Sequence, residues 1–146
     1  LQSSEQAEPV FRILDANCNR LREALRVIEE YVRFVSSDPT ISAELKQLRH
    51  RVRHLEQSLD RSTLLHNRDT GTDPFANKNR PEELARAGVE DVCIASWKRA
   101  QEAARVLEEY SKVADLATFS EDAKTVRFSL YALEKKVTEL LNHGKA

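Results

Sequence analysis

The chain has 146 residues and a formal net charge of −1, and Ala, Glu, Lys, Leu and Arg make up about half of it against 3 Gly and 4 Pro. This bias predicts long helices. The length excludes a (β/α)₈ barrel, which needs about 200–250 residues. The balance of 23 basic and 24 acidic residues argues against a general nucleic-acid partner, which needs a basic excess to displace counterions. No apolar run approaches the roughly 20 residues of a membrane span, so no membrane partner is expected. The first residues lack the basic and apolar regions of a signal peptide. Two Cys without CxxC spacing suit a reducing cytoplasm rather than structural zinc. The chain has no Met, so it is expected to be a piece cut from a longer protein.

Residues 1–9 are polar, end at Pro9 and are expected as a disordered tail. From Val10 to Val35 the apolar positions Leu14, Cys18, Leu21, Leu25, Ile28, Val32 and Val35 recur at alternating steps of 4 and 3, a helical seam. Ala24, Val27, Tyr31 and Phe34 are expected to widen it into a bundle face. Ser37-Asp38-Pro39 stops this helix and caps the next. A second helix is expected over 40–65, with Ile41, Leu45, Leu48, Val52, Leu55 and Leu59 on its buried face. A polar loop over 67–80 follows, where no helical period survives. Pro81 opens a short helix over 81–88 that ends near Gly88. A third long helix covers 89–116. A fourth starts at Ser120 as N-cap and runs to about Asn142.

The two halves match. Arg20 to Tyr31 lies over Arg99 to Tyr110 with eight of twelve positions identical at an offset of 79. Lys46, Arg49, Leu55 and Glu56 fall on Lys124, Arg127, Leu133 and Glu134 at an offset of 78. The expected fold is therefore all-α: one domain over 10–143, built as a helical bundle of two duplicated antiparallel hairpins (10–66 and 89–143) joined by the loop and the short helix. The identical positions include Arg20, Glu23, Arg26, Glu29 and Glu30 with their repeats Arg99, Glu102, Arg105, Glu108 and Glu109. Arg–Glu pairs at these spacings are ordinary helix stabilisers. Charges beside a core stripe also suit a network between hairpins or a ligand site.

The segment Arg12 to Phe34, with Asp15, Asn17, Asn19, Arg20, Glu23, Arg26, Glu29, Glu30 and Arg33 at its polar positions, closely resembles the opening of the ThiD2 family. This is a helical domain fused to some bacterial thiamine-phosphate synthases. Leu45-Lys46-Gln47-Leu48-Arg49-His50 looks like the second-helix signature of that family. Arg68-Asp69-Thr70 with Asp73 looks like its central loop, and Lys98 to Tyr110 like its second-half repeat. The resemblance implies a role in thiamine biosynthesis, with a C-terminal synthase barrel as the fused partner. It also implies an ATP- and Mg-dependent kinase that turns hydroxymethylpyrimidine phosphate into the diphosphate. Two rival roles stay open: a non-catalytic module binding that aminopyrimidine phosphate, and a module that forms a homodimer for the synthase.

The chain has no Gly-x-x-x-x-Gly-Lys-Ser/Thr loop, so a phosphate site must come from side chains on helices and the one polar loop. Arg20, Arg26, Arg49, Arg68, Arg99, Arg105 and Arg127 are candidate phosphate clamps, because guanidinium matches phosphate in a fork. Glu23, Glu102 and Thr70 complete the candidate binding set. Asp69 and Asp73 are the candidate catalytic carboxylates and magnesium ligands, with Asp15 as a further oxygen donor. Asn17 and Asn19 suit the donor–acceptor edge of an aminopyrimidine. Plain alternatives stand beside these. Asp15 can brace a helix start, and Asp69, Thr70 and Asp73 can form an Asx-type turn. His50 and His54 lack a third ligand with matching spacing. Cys18, Cys93, Tyr31 and Tyr110 read as packing residues. Arg49, Arg51, Arg53 and Arg61 are expected on several faces.

Overall fold

The computed structural model describes residues 4–81 and 84–144. Its α-helices are α1 (Ser4–Tyr31), α2 (Pro39–Gln57), α3 (Arg61–Asn67), α4 (Val89–Val113) and α5 (Ala117–Gly144). The described residues contain no strand, and the fold is all-α. None of these helices is long and apolar enough to cross a membrane.

Several boundaries differ from expectation, each for a local reason. α1 begins at Ser4, so residues 4–9 are helical with Pro9 inside. Proline holds φ near the helical value, and here it removes one N–H near the helix start. After Tyr31 comes a π-helical turn, Val32–Ser36, closed by Ser37 at a left-handed φ of 53°. The wider turn shifts the side-chain register. Phe34 and Val35 therefore face solvent at 65% and 51% exposure rather than extending the seam. Val27 also stays on an uncovered flank.

Asp38 caps α2 as expected, with Oδ1 accepting the Ile41 N–H at 2.9 Å and Pro39 behind it. The single helix expected over 40–65 is instead two. The Ser58 hydroxyl donates to the Leu55 carbonyl at 2.6 Å. Asp60 takes the Thr63 hydroxyl at 2.6 Å and caps α3. Two side chains that bond local backbone within three residues outcompete a continuous helix. The short helix expected over 81–88 falls partly on residues 82 and 83, outside the described residues, and 84–88 is not helical. Gly88 is instead the N-cap residue of α4.

α4 ends before 116, because Asp115 turns left-handed (φ 57°) and the Leu116 N–H returns to the Ser111 carbonyl at 3.0 Å. This is the bond pattern that closes many helices. α5 then starts at Ala117, so Ser120 lies inside it rather than at its N-cap. Its hydroxyl donates to the Glu108 carbonyl at 2.8 Å and ties α5 to α4.

α1 and α4 pack together along the centre, with α2 and α3 on α1, α5 on α4, and α2 touching α5. The seam residues Leu14, Leu21, Leu25 and Ile28 are fully buried, as are Ile41, Leu45, Leu107 and Leu130 from the other long helices. Cys18 and Cys93 are buried free thiols. Burial pushes the Cys18 thiol up to about 12, with Glu56 and Asp15 adding to the rise and Arg22 opposing it. An unfolded thiol loses its proton near 9.0. Between these values the unfolded chain releases a proton that the folded chain keeps, so stability falls as pH rises. Thermal melts from pH 8 to 10.5 should show a steeper loss of Tm for the wild type than for Cys18→Ala. Equal slopes would contradict the burial of this thiol.

Candidate functional site

Asp15, Arg22 and Glu29 stand seven residues apart on α1 and therefore share one face. Each meets an opposite charge or partner. Arg68, at the C-cap of α3, grips Asp15 in a fork at 2.7 and 2.6 Å. Arg22 donates to Glu56 of α2 at 2.6 Å and to Asn19 at 2.7 Å. Arg49 Nε of α2 donates to Glu29 at 2.9 Å. Moving from Glu29 to Arg22 on α1 matches moving from Arg49 to Glu56 on α2, so the two helices run antiparallel. At about 1.5 Å rise per residue the three contacts span about 21 Å along α1.

A cleft of about 910 Å³ runs along these contacts. α1 lines it with Asp15, Asn19, Arg22, Glu23 and Arg26, and α2 with Arg49, Arg53, Glu56 and Gln57. Leu59, Arg61, Leu64, Leu65 and Arg68 complete it. Six arginines thus face three acids over a partly leucine floor. Arg53 and Arg61 make no ion pair among the described residues. Asp15 holds the Arg68 guanidinium still further above its ordinary value, mainly through the fork of hydrogen bonds. Three of the four arginines at 49, 51, 53 and 61 therefore converge instead of spreading over several faces. Arg49 and Arg53 are one turn apart, and the break at 58–60 turns α3 so that Arg61 joins them. Only Arg51 points away, toward Ser129 at 3.4 Å.

The structure divides the expected site residues among different places. Asp15, Asn19, Glu23, Arg26, Arg49 and Arg68 share the cleft. Asn17 is buried, donates to the Ile13 carbonyl at 2.9 Å and accepts from Arg20 at 3.4 Å. Asn17 and Arg20, with Arg99 and Glu102, border a separate groove of about 500 Å³ between α1 and α4. Arg105 pairs with Glu109 at 3.2 Å. Arg127 is buried against Glu108, with Nε at 3.0 Å and Nη2 at 2.9 Å from the same oxygen. Phe128 and Tyr131 lie against its guanidinium at 4.9 and 5.8 Å.

Asp69, Thr70 and Asp73 lie in the exposed loop after α3, outside the cleft lining. The Thr72 hydroxyl and N–H donate to Asp69 at 2.8 and 3.1 Å and hold its carboxyl below its ordinary value. Asp73 accepts the Phe75 N–H at 2.9 Å. Arg12 ties this loop to α1 through the Asp69 carbonyl at 2.8 Å. Both carboxylates act as turn acceptors, and no group of three His, Cys, Asp or Glu side chains among the described residues is placed to hold a metal ion.

Residues 12–136 match the ThiD2 family. The chain belongs to this family. It is 40% identical over 138 residues to a thiamine-phosphate synthase of Thermosynechococcus vestitus, covering 94% of this chain and 38% of that protein. Against the thiamine-phosphate synthase of Nostoc punctiforme it is 37% identical over 144 residues, 99% of this chain and 39% of that protein. For that of Rhodopirellula baltica the identity is 36% over 130 residues, 89% of this chain and 34% of that protein. The chain thus spans less than two fifths of the length of these relatives. No solved structure matches it.

In this ThiD2-family chain, Arg22, Arg53, Glu56 and Arg61 are cleft residues that the sequence reading did not assign to the site. The signals were present. Arg22 sits midway in the seven-residue series from Asp15 to Glu29, and Arg53 follows Arg49 by one turn. Arg61 had no such signal, because its direction depends on the break at 58–60. The buried and exposed arginines should differ in stability. Arg127→Ala leaves Glu108 buried without its partner and should cost about 3–5 kcal/mol. Arg53→Ala should change stability by less than about 0.5 kcal/mol. Urea unfolding of the two variants checks both values.

Proposed function

We propose that this chain serves thiamine biosynthesis by binding hydroxymethylpyrimidine phosphate in the cleft of α1, α2 and α3. The observation that carries this reading is six arginines over a leucine floor, with Arg53 and Arg61 making no ion pair among the described residues. Guanidinium groups pair with phosphate oxygens in forked hydrogen bonds. Leu59, Leu64 and Leu65 supply apolar surface for a ring. The family and the thiamine-phosphate synthases related to this chain support the identity of the ligand. In a full-length protein with a synthase barrel, the helical domain would then hold or prepare a precursor for the barrel.

The length of the cleft favours phosphoryl transfer over storage. The α1 residues that line the cleft, Asp15 to Arg26, span about 16 Å at 1.5 Å per residue, longer than one aminopyrimidine phosphate, and the arginines outnumber what one phosphate needs. In the transfer, an oxygen of the bound phosphate monoester attacks the γ-phosphorus of a nucleoside triphosphate. The bond from that phosphorus to the bridging oxygen breaks, and a nucleoside diphosphate leaves. Such chemistry is mostly positioning and charge neutralisation, and the arginines supply both. Magnesium carried by the triphosphate would neutralise charge on its phosphate oxygens.

Calorimetry with hydroxymethylpyrimidine phosphate tests the binding. Arg53→Ala and Arg61→Ala should each weaken it by about tenfold, the loss of one charge-assisted contact, with Tm unchanged. Binding should also weaken as salt is raised. Incubation with the same phosphate, ATP and Mg²⁺ tests the transfer, with the pyrimidine diphosphate as product. Binding without product at high protein concentration would leave a carrier domain, and no binding would leave a structural module of the synthase.

A further inference from the structure

The charges that repeat between the two halves are not all put to the same use. Arg26 pairs with Glu29 at 3.8 Å, and Arg105 with Glu108 at 4.0 Å. Arg20 and Arg99 have Glu23 and Glu102 one turn further on, yet neither arginine makes an ion pair among the described residues. Lys98, beside Arg99, makes none there either. Arg20 Nη1 donates to the Asn17 Oδ1 at 3.4 Å. Asn17 is 4% exposed and spends its own N–H on the Ile13 carbonyl. A buried amide therefore holds one corner of the Arg20 guanidinium and leaves the rest of the fork open.

These three exposed cations border the groove of about 500 Å³ between α1 and α4. Arg20 and Arg99 correspond at the offset of 79, so each half brings the same guanidinium to the groove from its own long helix. Corresponding residues also meet between α2 and α5, where Arg51 donates to Ser129 at 3.4 Å. Glu102 is the acid in the lining, and Ala95, Ala103 and Val106 give it a small apolar floor. The groove shares no lining residue with the cleft.

We propose that this groove is a second anion site and that it takes a diphosphate group, one phosphoryl on Arg20 and the other on Arg99. Each guanidinium fork is matched by two oxygens. A phosphate monoester offers three oxygens, too few for two full forks, and a diphosphate offers enough. Lys98 neutralises further charge, and three cations against one acid favour a multiply charged anion. The volume lies within the range of small-ligand sites and leaves space for an organic group over the apolar floor. The proposal does not depend on the reading of the cleft.

Calorimetry with inorganic diphosphate tests it, using an Arg53→Ala/Arg61→Ala chain so that the cleft contributes least. Diphosphate should bind about tenfold more tightly than inorganic phosphate, and Arg20→Ala and Arg99→Ala should each weaken it by about tenfold. Glu102→Gln removes the acid and should strengthen it by about twofold. Lys124→Ala removes the same unit charge outside the groove and should stay within about twofold of the parent. The substituted side chains are exposed, so Tm should be unchanged. No binding of diphosphate, or binding that Arg20→Ala and Arg99→Ala leave intact, would overturn the proposal. Equal weakening by Lys124→Ala would also overturn it, because only the general field would then be at work. Diphosphate bound no better than phosphate would remove the pairing of the two arginines. Hydroxymethylpyrimidine phosphate separates this site from the cleft: Arg20→Ala and Arg99→Ala should leave its affinity within about twofold. Weakening there would overturn the independence of the two sites. Failure of that ligand to bind would sink the cleft reading and leave the groove standing.

Discussion

Charged side chains at seven-residue spacing beside an apolar seam cannot be left without partners, because partial burial strips them of water. On α1 these are Asp15, Arg22 and Glu29, and their partners come from three different places: the cap of α3, the end of α2 and the middle of α2. Satisfying all three at once sets the register of α2 on α1 and anchors the start of the polar loop through Arg68. The cleft is a by-product of this register. α2 and α3 carry Arg53 and Arg61 to the same side as Arg22 and Arg26, and neither makes an ion pair among the described residues, although Glu23 of α1 lines the same cleft.

The two halves solve the same problem differently. Arg22 with Glu56 and Gln101 with Glu134 are corresponding contacts, at 2.6 and 3.0 Å. Arg49 with Glu29 and Arg127 with Glu108 correspond in the same way, at 2.9 and 3.0 Å. Where the first half has Asp15, Arg53 and Arg61, the second has Ile94, Tyr131 and Glu139. These changes remove two cations and bring an aromatic ring over the third. The ion pairs in the second half therefore brace α5 on α4, whereas those in the first half border an open, cation-rich cleft. A common scaffold is retained on both sides, and the cleft with its cluster of arginines lies on one.

Much of this was legible in residue order. The seam Leu14 to Val32 and the face Ile41 to Leu59 are buried as their spacing indicates, because a helix buries one stripe whatever packs on it. The cap at Asp38 and the irregular loop after α3 follow from local chemistry. Less legible was the Ser58–Asp60 break, where two short polar side chains compete with an otherwise good helical pattern. Ser120 carried a cap signature, but its hydroxyl is used on the Glu108 carbonyl twelve residues away.

The site shows the division most clearly. Sequence by itself determined the residue types, the family, and the expectation that any phosphate site would come from arginine-bearing helices and the one polar loop, because those depend on composition and spacing. Only the tertiary structure decided which arginines share a space. It placed Asn17 and Arg20 on the opposite side of α1 from Asn19 and Arg22, closed Arg127 under aromatic rings, and bent α3 so that Arg61 and Arg68 complete the cleft. Residues far apart in the chain meet through packing register and helix breaks, and neither is written in the local pattern of any one helix.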